Sequence, residues 1–113
     1  MSQSISRQDL KNLINSEKKP TIVEALPKQY YEAEHLPGAI NIPHDTIQIN
    51  AAHLIPNKQE TVVVYCASAE CKNSYIAAET LRRLGYTSVY EYSEGKKDWK
   101  EAGFPLENIG GPQ

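Results

Sequence analysis

The chain has 113 residues, of which 40% are hydrophobic and 23% are charged, and its formal net charge is -2. This length and composition are typical of one domain that folds around a single hydrophobic core. The mild acidity and the lack of a basic cluster argue against nucleic acid or a membrane surface as a partner, because little in the chain would attract phosphates.

Helical and strand patterns alternate along the first half of the chain. Leu10, Leu13 and Ile14 recur at helical spacing after a capping serine, Ser6. The apolar, β-branched segment TIVEAL favours a strand, and the proline after it fits the first turn of a short helix. In chain order we predict a helix over 7–17, a strand over 21–26, a short helix over 27–33, a brief strand over 39–42 after a Pro-Gly turn, and a helix over 45–54.

The second half contains the clearest strand, TVVVYC, whose unbroken apolar character is typical of a parallel strand covered on both faces. Asn73 or Ser74 is expected to cap the following helix, which would end at Gly85. The inner face of this helix is predicted to carry Ile76, Ala77, Leu81 and Leu84. In chain order we predict a strand over 61–66, a helix to 84, a strand over 88–92, a helix over 96–102, and a frayed tail over 108–113.

This alternation of strands and helices predicts the fold class. Strands that follow one another through helices pair in parallel, with the helices packed on both faces of the sheet. We therefore expect a single α/β domain with three layers, α/β/α, whose core extends over about residues 5–107.

The sequence also bears on location and on membrane association. No apolar run approaches the ~20 residues that a membrane-spanning helix needs. The N-terminus, MSQSISRQDL, does not show the charged and apolar regions of a secretory signal. We expect a cytoplasmic location, in which cysteines are more often thiols with a chemical or packing role than members of a structural disulfide.

Both cysteines lie in the segment YCASAECKNS, Tyr65–Ser74, between the clearest strand and the helix that follows. Ligands of open parallel sheets bind beyond the carboxyl ends of the strands, so Cys66 at the end of a central strand has the expected position. The short turn into the helix is expected to aim the backbone N–H groups of Ala67 through Lys72 inward as an anion nest. Such a nest favours a thiolate, which predicts a lowered pKa for Cys66.

Other interpretations of this segment compete with a reactive thiol. A cysteine that ends a strand is often a small buried hydrophobic residue. A zinc site is not expected, because the spacing C-x4-C has no second pair and His35, His44 and His53 lie outside any tight ligand spacing. A disulfide between Cys66 and Cys71 would compress the segment and is expected only as an oxidised state.

Four motifs, in order, resemble the rhodanese-like domain family over nearly the whole chain. They are TIVEALPKQYYEAEHLPGAINIP, VVVYC, AAETLRRLGYTSVYEY and EGKKDWKEAGFPLE. The resemblance implies a central, mostly parallel five-stranded sheet and the activity of a sulfurtransferase. No cofactor or metal is expected.

The resemblance also implies roles for individual residues. Cys66 would form a persulfide with a sulfur donor, either a small molecule or a protein, and pass the sulfur to an acceptor thiol or another nucleophile. Cys71 would resolve oxidised or persulfidated Cys66, accept sulfur itself, or pack beneath the loop. The substrate-binding loop would consist of Ala67, Ser68, Ala69, Glu70, Cys71 and Lys72, with Glu24, His35, Asn73 and Ser74 in support. Within this set, Glu24 is expected to hydrogen-bond backbone near the loop, and His35 to cap the Pro-Gly turn.

Departures from the common family pattern bear on the substrate. The loop is about two residues longer than usual and resembles a branch with a second cysteine, C-x-x-x-x-C-x-x-[Ser/Ala]. The loop has no arginine, and Glu24-Ala25-Leu26 stands where the family has Asp-Val-Arg. Lys72 is a point charge without the planar fork that binds oxyanions, so a persulfide is favoured over thiosulfate as donor. The alternatives are a non-catalytic protein-binding module and, less favoured because position 72 is not arginine, a cysteine phosphatase.

Overall fold

The computed structural model describes residues 3–109, in which five strands form one sheet with the order β1-β5-β4-β2-β3. Each neighbouring pair of strands is parallel. The strands are β1 (Gln3–Ser4), β2 (Thr21–Glu24), β3 (Ile40–Asn41), β4 (Thr61–Tyr65) and β5 (Ser88–Tyr92). The helices are α1 (Arg7–Ile14), α2 (Lys28–Ala33), α3 (Ile47–Leu54), α4 (Asn73–Arg83) and α5 (Gly95–Glu101), with a 3-10 turn at His44–Thr46.

The hydrophobic core has two parts, one on each face of the sheet. Val62 and Val64 of β4 pack with residues of α3 and α4 on one face. Val63 and Tyr65 alternate with them and pack with residues of α1 and α5 on the other face. The predicted three-layer α/β architecture is therefore confirmed, and the unbroken apolar character of β4 reflects cover on both faces.

Two predictions about α4 are wrong. Of the four residues predicted on its inner face, Ala77 and Leu81 are buried and Leu84 packs against the core, but Ile76 is 43% exposed and Ala78 is buried instead. Neither Asn73 nor Ser74 caps the helix, since Lys72 occupies the cap position without a side-chain hydrogen bond. The Ser74 side chain is directed into the protein instead.

The two ends of the described chain add contacts that the sequence did not indicate. Strand β1 was not predicted; it pairs with β5 at one edge of the sheet. Near the C-terminus, Glu107 and His35 exchange backbone hydrogen bonds, and the Ile109 N–H donates to Glu32 O. The rest of the predicted frayed tail, residues 110–113, lies outside the described residues. Among the helices of residues 3–109, none combines the length and hydrophobicity needed to cross a bilayer.

Candidate active site

Cys66 lies directly after β4, the central strand, at the carboxyl end of the sheet. Cys66 is 0% exposed to solvent. The start of the loop that follows is held on the N-terminus of α5, because the Lys96 N–H donates to Cys66 O at 2.9 Å and the Lys97 N–H donates to Ala67 O at 2.9 Å. These hydrogen bonds fix the position of the Cys66 and Ala67 backbone relative to α5.

Two acceptors surround the Cys66 thiol. The carbonyl oxygen of Cys71 is 3.4 Å from Cys66 Sγ, and the hydroxyl oxygen of Ser74 is 3.3 Å away. The Ser74 hydroxyl in turn donates to the Glu91 carboxylate at 2.7 Å, and Glu91 is also buried. A chain of polar groups therefore connects the thiol to a carboxylate on the neighbouring strand β5.

The expected lowering of the Cys66 pKa is wrong for this arrangement. The pKa of the Cys66 thiol is raised to about 11, chiefly by burial and also by the contact with Cys71, while hydrogen bonds with Ser74 act in the opposite direction. Desolvation outweighs the hydrogen bonds, and no cationic side chain among residues 3–109 acts to lower this pKa. The resting site therefore holds a protonated thiol.

This raised pKa predicts slow alkylation. In a Cys71→Ser variant, Cys66 should react with iodoacetamide more slowly than free cysteine at pH 7, because only the thiolate is nucleophilic. The rate should rise about tenfold per pH unit and level off only above the usual pKa of cysteine, because burial still raises the pKa of Cys66 in this variant. A rate that already levels off between pH 6 and pH 7 would instead support the lowered pKa expected from an anion nest.

Two cavities flank the loop. The front cavity, of about 370 Å³, lies between α2, α5 and the start of the loop, and it is lined by Leu26, Tyr30, Ala67, Lys96, Lys97 and Lys100 among others. The back cavity, of about 400 Å³, lies between the end of the loop, α4 and β5, and it is lined by Ala69, Cys71, Lys72, Tyr75, Glu91 and Ser93. The loop that covers Cys66 thus has open space on two sides, although Cys66 itself lines neither cavity.

The middle of the loop forms a turn. The Cys71 N–H donates to Ser68 O at 3.1 Å, and the Ser68 hydroxyl donates to Glu70 at 3.0 Å. That second hydrogen bond lowers the pKa of the exposed Glu70 carboxyl. Ser68, Ala69 and Glu70 face a smaller cavity of about 150 Å³ that they share with α5. The predicted loop residues are thus distributed over the linings of three cavities.

The Glu24 carboxylate contacts side chains near the site rather than the loop backbone as expected. Its carboxylate, which is fully buried, accepts from Tyr65 OH at 2.6 Å and from Lys96 Nζ at 3.0 Å. Lys96 also donates from Nζ to Tyr30 O at 3.1 Å. Because the Lys96 backbone carries the start of the loop, Glu24 holds the loop in place indirectly, through α5.

His35, Asn73 and Ser74 are distributed differently from the prediction. His35 stacks on Tyr31 with ring centroids 3.9 Å apart, and its Nδ1 lies 2.7 Å from Tyr31 O. Glu107 lies 3.7 Å from His35 Nε2 and also accepts from the Gly38 N–H, so His35 acts on the Pro-Gly turn only through Glu107. Asn73 begins α4, and the Ser74 hydroxyl contacts the Cys66 thiol.

A family model described as rhodanese-like domain matches residues 6–102 of the chain. The chain belongs to the rhodanese-like domain family. Within residues 3–109 of this rhodanese-like domain, no group of three or more His, Cys, Asp or Glu side chains is arranged to hold a metal ion.

Relatives of this rhodanese-like domain have differing lengths and names. Thiosulfate sulfurtransferase PspE of Escherichia coli is 42% identical over 73 residues, which are 65% of this chain and 66% of PspE. The HTH-type transcriptional regulator Rv0324 of Mycobacterium tuberculosis is 34% identical over 87 residues, which are 77% of this chain and 37% of the regulator. The chain therefore spans between 37% and 66% of the length of these relatives.

Solved structures share the fold. The BH2092 protein from Bacillus halodurans has a TM-score of 0.85 at 25% identity, with 95% of this chain and 77% of that chain covered. A rhodanese with anions from E. coli has a TM-score of 0.66 at 34% identity, with 79% and 98% of the two chains covered. The rhodanese-like architecture thus extends over most of the chain.

Two residues near Cys66 were missed by sequence reasoning. Lys96 was predicted as the first residue of a short helix without a role at the site, although a carboxylate buried at Glu24 needs a partner nearby. Glu91 lies in strand β5, where its neighbours are tyrosines that suggested packing alone. No sequence signal of its own marked Glu91 as a neighbour of the thiol.

Proposed function

We propose that this rhodanese-like domain is a sulfurtransferase that carries sulfane sulfur as a persulfide on Cys66 and passes it to a thiol. The observation that carries the proposal is the position of the Cys66 thiol, at the carboxyl end of the central strand and between two cavities. The similarity to a thiosulfate sulfurtransferase and to the putative sulfur carrier protein YrkF of Bacillus subtilis supports it.

The reaction has two half-reactions that share one covalent intermediate. The Cys66 thiolate attacks the outer sulfur of a donor, a new S–S bond forms, and the donor's S–S bond breaks with departure of a thiolate or, from thiosulfate, of sulfite. An acceptor thiolate then attacks the outer sulfur of the Cys66 persulfide and releases the Cys66 thiolate. Such a scheme gives ping-pong kinetics.

The charges around the front cavity favour a persulfide donor over the thiosulfate dianion. Lys96 is already paired with Glu24, and Lys100 is paired with Glu34 at 2.9 Å. Lys97, which is exposed, supplies a single point charge rather than a fork of donors. The donor reaches the sulfur when the middle of the loop moves, since the carbonyls of Cys66 and Ala67 are held on α5.

A second function, that of a non-catalytic binding module, is favoured by one observation. The Cys66 thiol is fully buried and its pKa is raised, which are properties of an unreactive cysteine. Similarity to a transcriptional regulator agrees with this alternative. Fold membership alone does not separate the two functions.

Sulfur loading distinguishes them. We expect the protein to gain the mass of one sulfur atom when it is incubated with glutathione persulfide, as measured by intact mass spectrometry after removal of the donor. Loading should accelerate with pH because Cys66 must lose its proton, and it should vanish in Cys66→Ser. Failure of the wild-type protein to gain sulfur from glutathione persulfide or thiosulfate would favour the binding module.

A further inference from the structure

The two cysteines of the loop differ in their access to solvent. Cys66 is 0% exposed, whereas Cys71 is half-buried and lines the back cavity. A persulfide extends the Cys66 side chain by one sulfur atom but leaves it beneath the loop. An acceptor molecule would therefore have to displace the loop in order to reach the outer sulfur.

The Cys71 residue contacts the Cys66 thiol. Cys66 Sγ lies 3.4 Å from the carbonyl oxygen of Cys71, and the short cysteine side chain keeps the Cys71 sulfur near its own carbonyl. Negative charge on Cys71 also contributes to raising the pKa of Cys66, which agrees with this proximity. Cys71 is therefore the thiol best placed to meet a sulfur bound at Cys66.

We propose that Cys71 is a second sulfur-carrying residue, which takes the outer sulfur from the Cys66 persulfide and presents it to a thiol acceptor in the back cavity. The proposal rests on the proposed function, because it begins from sulfur loaded on Cys66. It assigns the front cavity to the donor and the back cavity to the acceptor.

The transfer within the loop balances without any further reactant. The Cys71 sulfur attacks the outer sulfur of the Cys66 persulfide, so one S–S bond forms at Cys71 while the bond at Cys66 breaks. The proton of the Cys71 thiol passes to Cys66, and the negative charge moves from the Cys66 persulfide to the Cys71 persulfide. Cys66 returns to the protonated state, in which its thiol has Cys71 O and the Ser74 hydroxyl as acceptors.

The difference in solvation between the two cysteines favours transfer of the sulfur from Cys66 to Cys71. An anionic persulfide on Cys66 is desolvated, and the nearby Ser74 hydroxyl already donates its proton to Glu91. On Cys71 the same anion reaches the open back cavity, where the exposed Lys72 supplies positive charge.

The location of the sulfur can be read directly. After loading with glutathione persulfide, iodoacetamide traps the persulfide, and trypsin releases residues 59–72, which contain both cysteines. Fragmentation between positions 66 and 71 then assigns the added sulfur. We expect most of it on Cys71 in the wild-type protein, on Cys66 in Cys71→Ser, and on neither residue in Cys66→Ser.

The rates of the two half-reactions separate transfer from a packing role. In Cys71→Ser and Cys71→Ala, discharge to dithiothreitol should slow by about tenfold or more relative to the loading of the same variant, because the residue that hands on the sulfur is absent. A packing role for Cys71 would change both rates together. The proposal is overturned if the Cys71 variants discharge at the wild-type rate, or if Cys66→Ser still loads sulfur on Cys71.

Two other outcomes are informative. Release of sulfide with formation of a Cys66–Cys71 disulfide would show that Cys71 attacks the inner sulfur, which also overturns the proposal. If the wild-type protein takes up no sulfur on either cysteine, the proposed function itself fails. The mass of the loaded protein therefore distinguishes the two failures.

Discussion

Replacement of Gly95 with alanine is expected to lower the free energy of unfolding by about 2–5 kcal/mol. Gly95 has a φ of +76°, which is unfavourable for a residue with a side chain. A Cβ atom there would also lie 2.7 Å from Cys66 O and 2.8 Å from Ser68 N. Because these are backbone atoms, relief of the clash must move the loop away from α5. Urea unfolding measures the loss.

Gly103→Ala is the matched control for Gly95→Ala. Gly103 has a similar φ of +81°, but a Cβ atom there meets nothing within 4 Å. This variant should lose only the conformational contribution, about 1–2 kcal/mol, and should load sulfur at the wild-type rate. Gly95→Ala should in addition load sulfur more slowly, because Cys66 is displaced. Equal losses of stability in the two variants would contradict the contact between α5 and the loop.

Substitution of Glu24 by glutamine is expected to destabilise the protein by about 3–5 kcal/mol, because it leaves the Lys96 ammonium buried without a counterion. The Lys96 side chain is 10% exposed and that of Glu24 is 0% exposed. Lys96→Met should be similarly damaging, since it leaves the carboxylate with Tyr65 OH as its hydrogen-bond donor. Urea unfolding of both single variants measures these losses.

A surface ion pair and a double variant sharpen this test. Glu34 pairs with Lys100 at 2.9 Å, but these side chains are 35% and 61% exposed. Glu34→Gln should therefore cost at most about 1 kcal/mol. The double variant Glu24→Gln with Lys96→Met should lose less than the two single variants combined, because no uncompensated charge is left. Additive losses would show that the buried pair is not coupled.

The elements that the sequence predicts well are those whose pattern does not depend on distant contacts. The unbroken apolar run of β4 and the β-branched and aromatic residues of β5 predicted both strands to within one residue at each end. Strand β1 consists of Gln3 and Ser4, both exposed, and it exists through backbone pairing with β5. No propensity or periodicity marks such a strand.

The position of the candidate site was predictable, but its electrostatics were not. The strand-to-helix turn placed Cys66 at the carboxyl edge of the sheet. The pKa depends on how fully the loop covers the sulfur and on whether a cation touches it, and both are tertiary properties. Ser74 shows the same limit, because a serine near a helix start suggests a cap, whereas its hydroxyl contacts Cys66 and Glu91.

The brevity of the outermost strands has a consequence for self-association. Strands β1 and β3 border the sheet and have two residues each, so each presents a very short edge to another chain. Long exposed edges invite intermolecular strand pairing and fibril growth, and short edges oppose it. A sheet with such short outer strands offers little template for aggregation even when the loop after β4 is displaced.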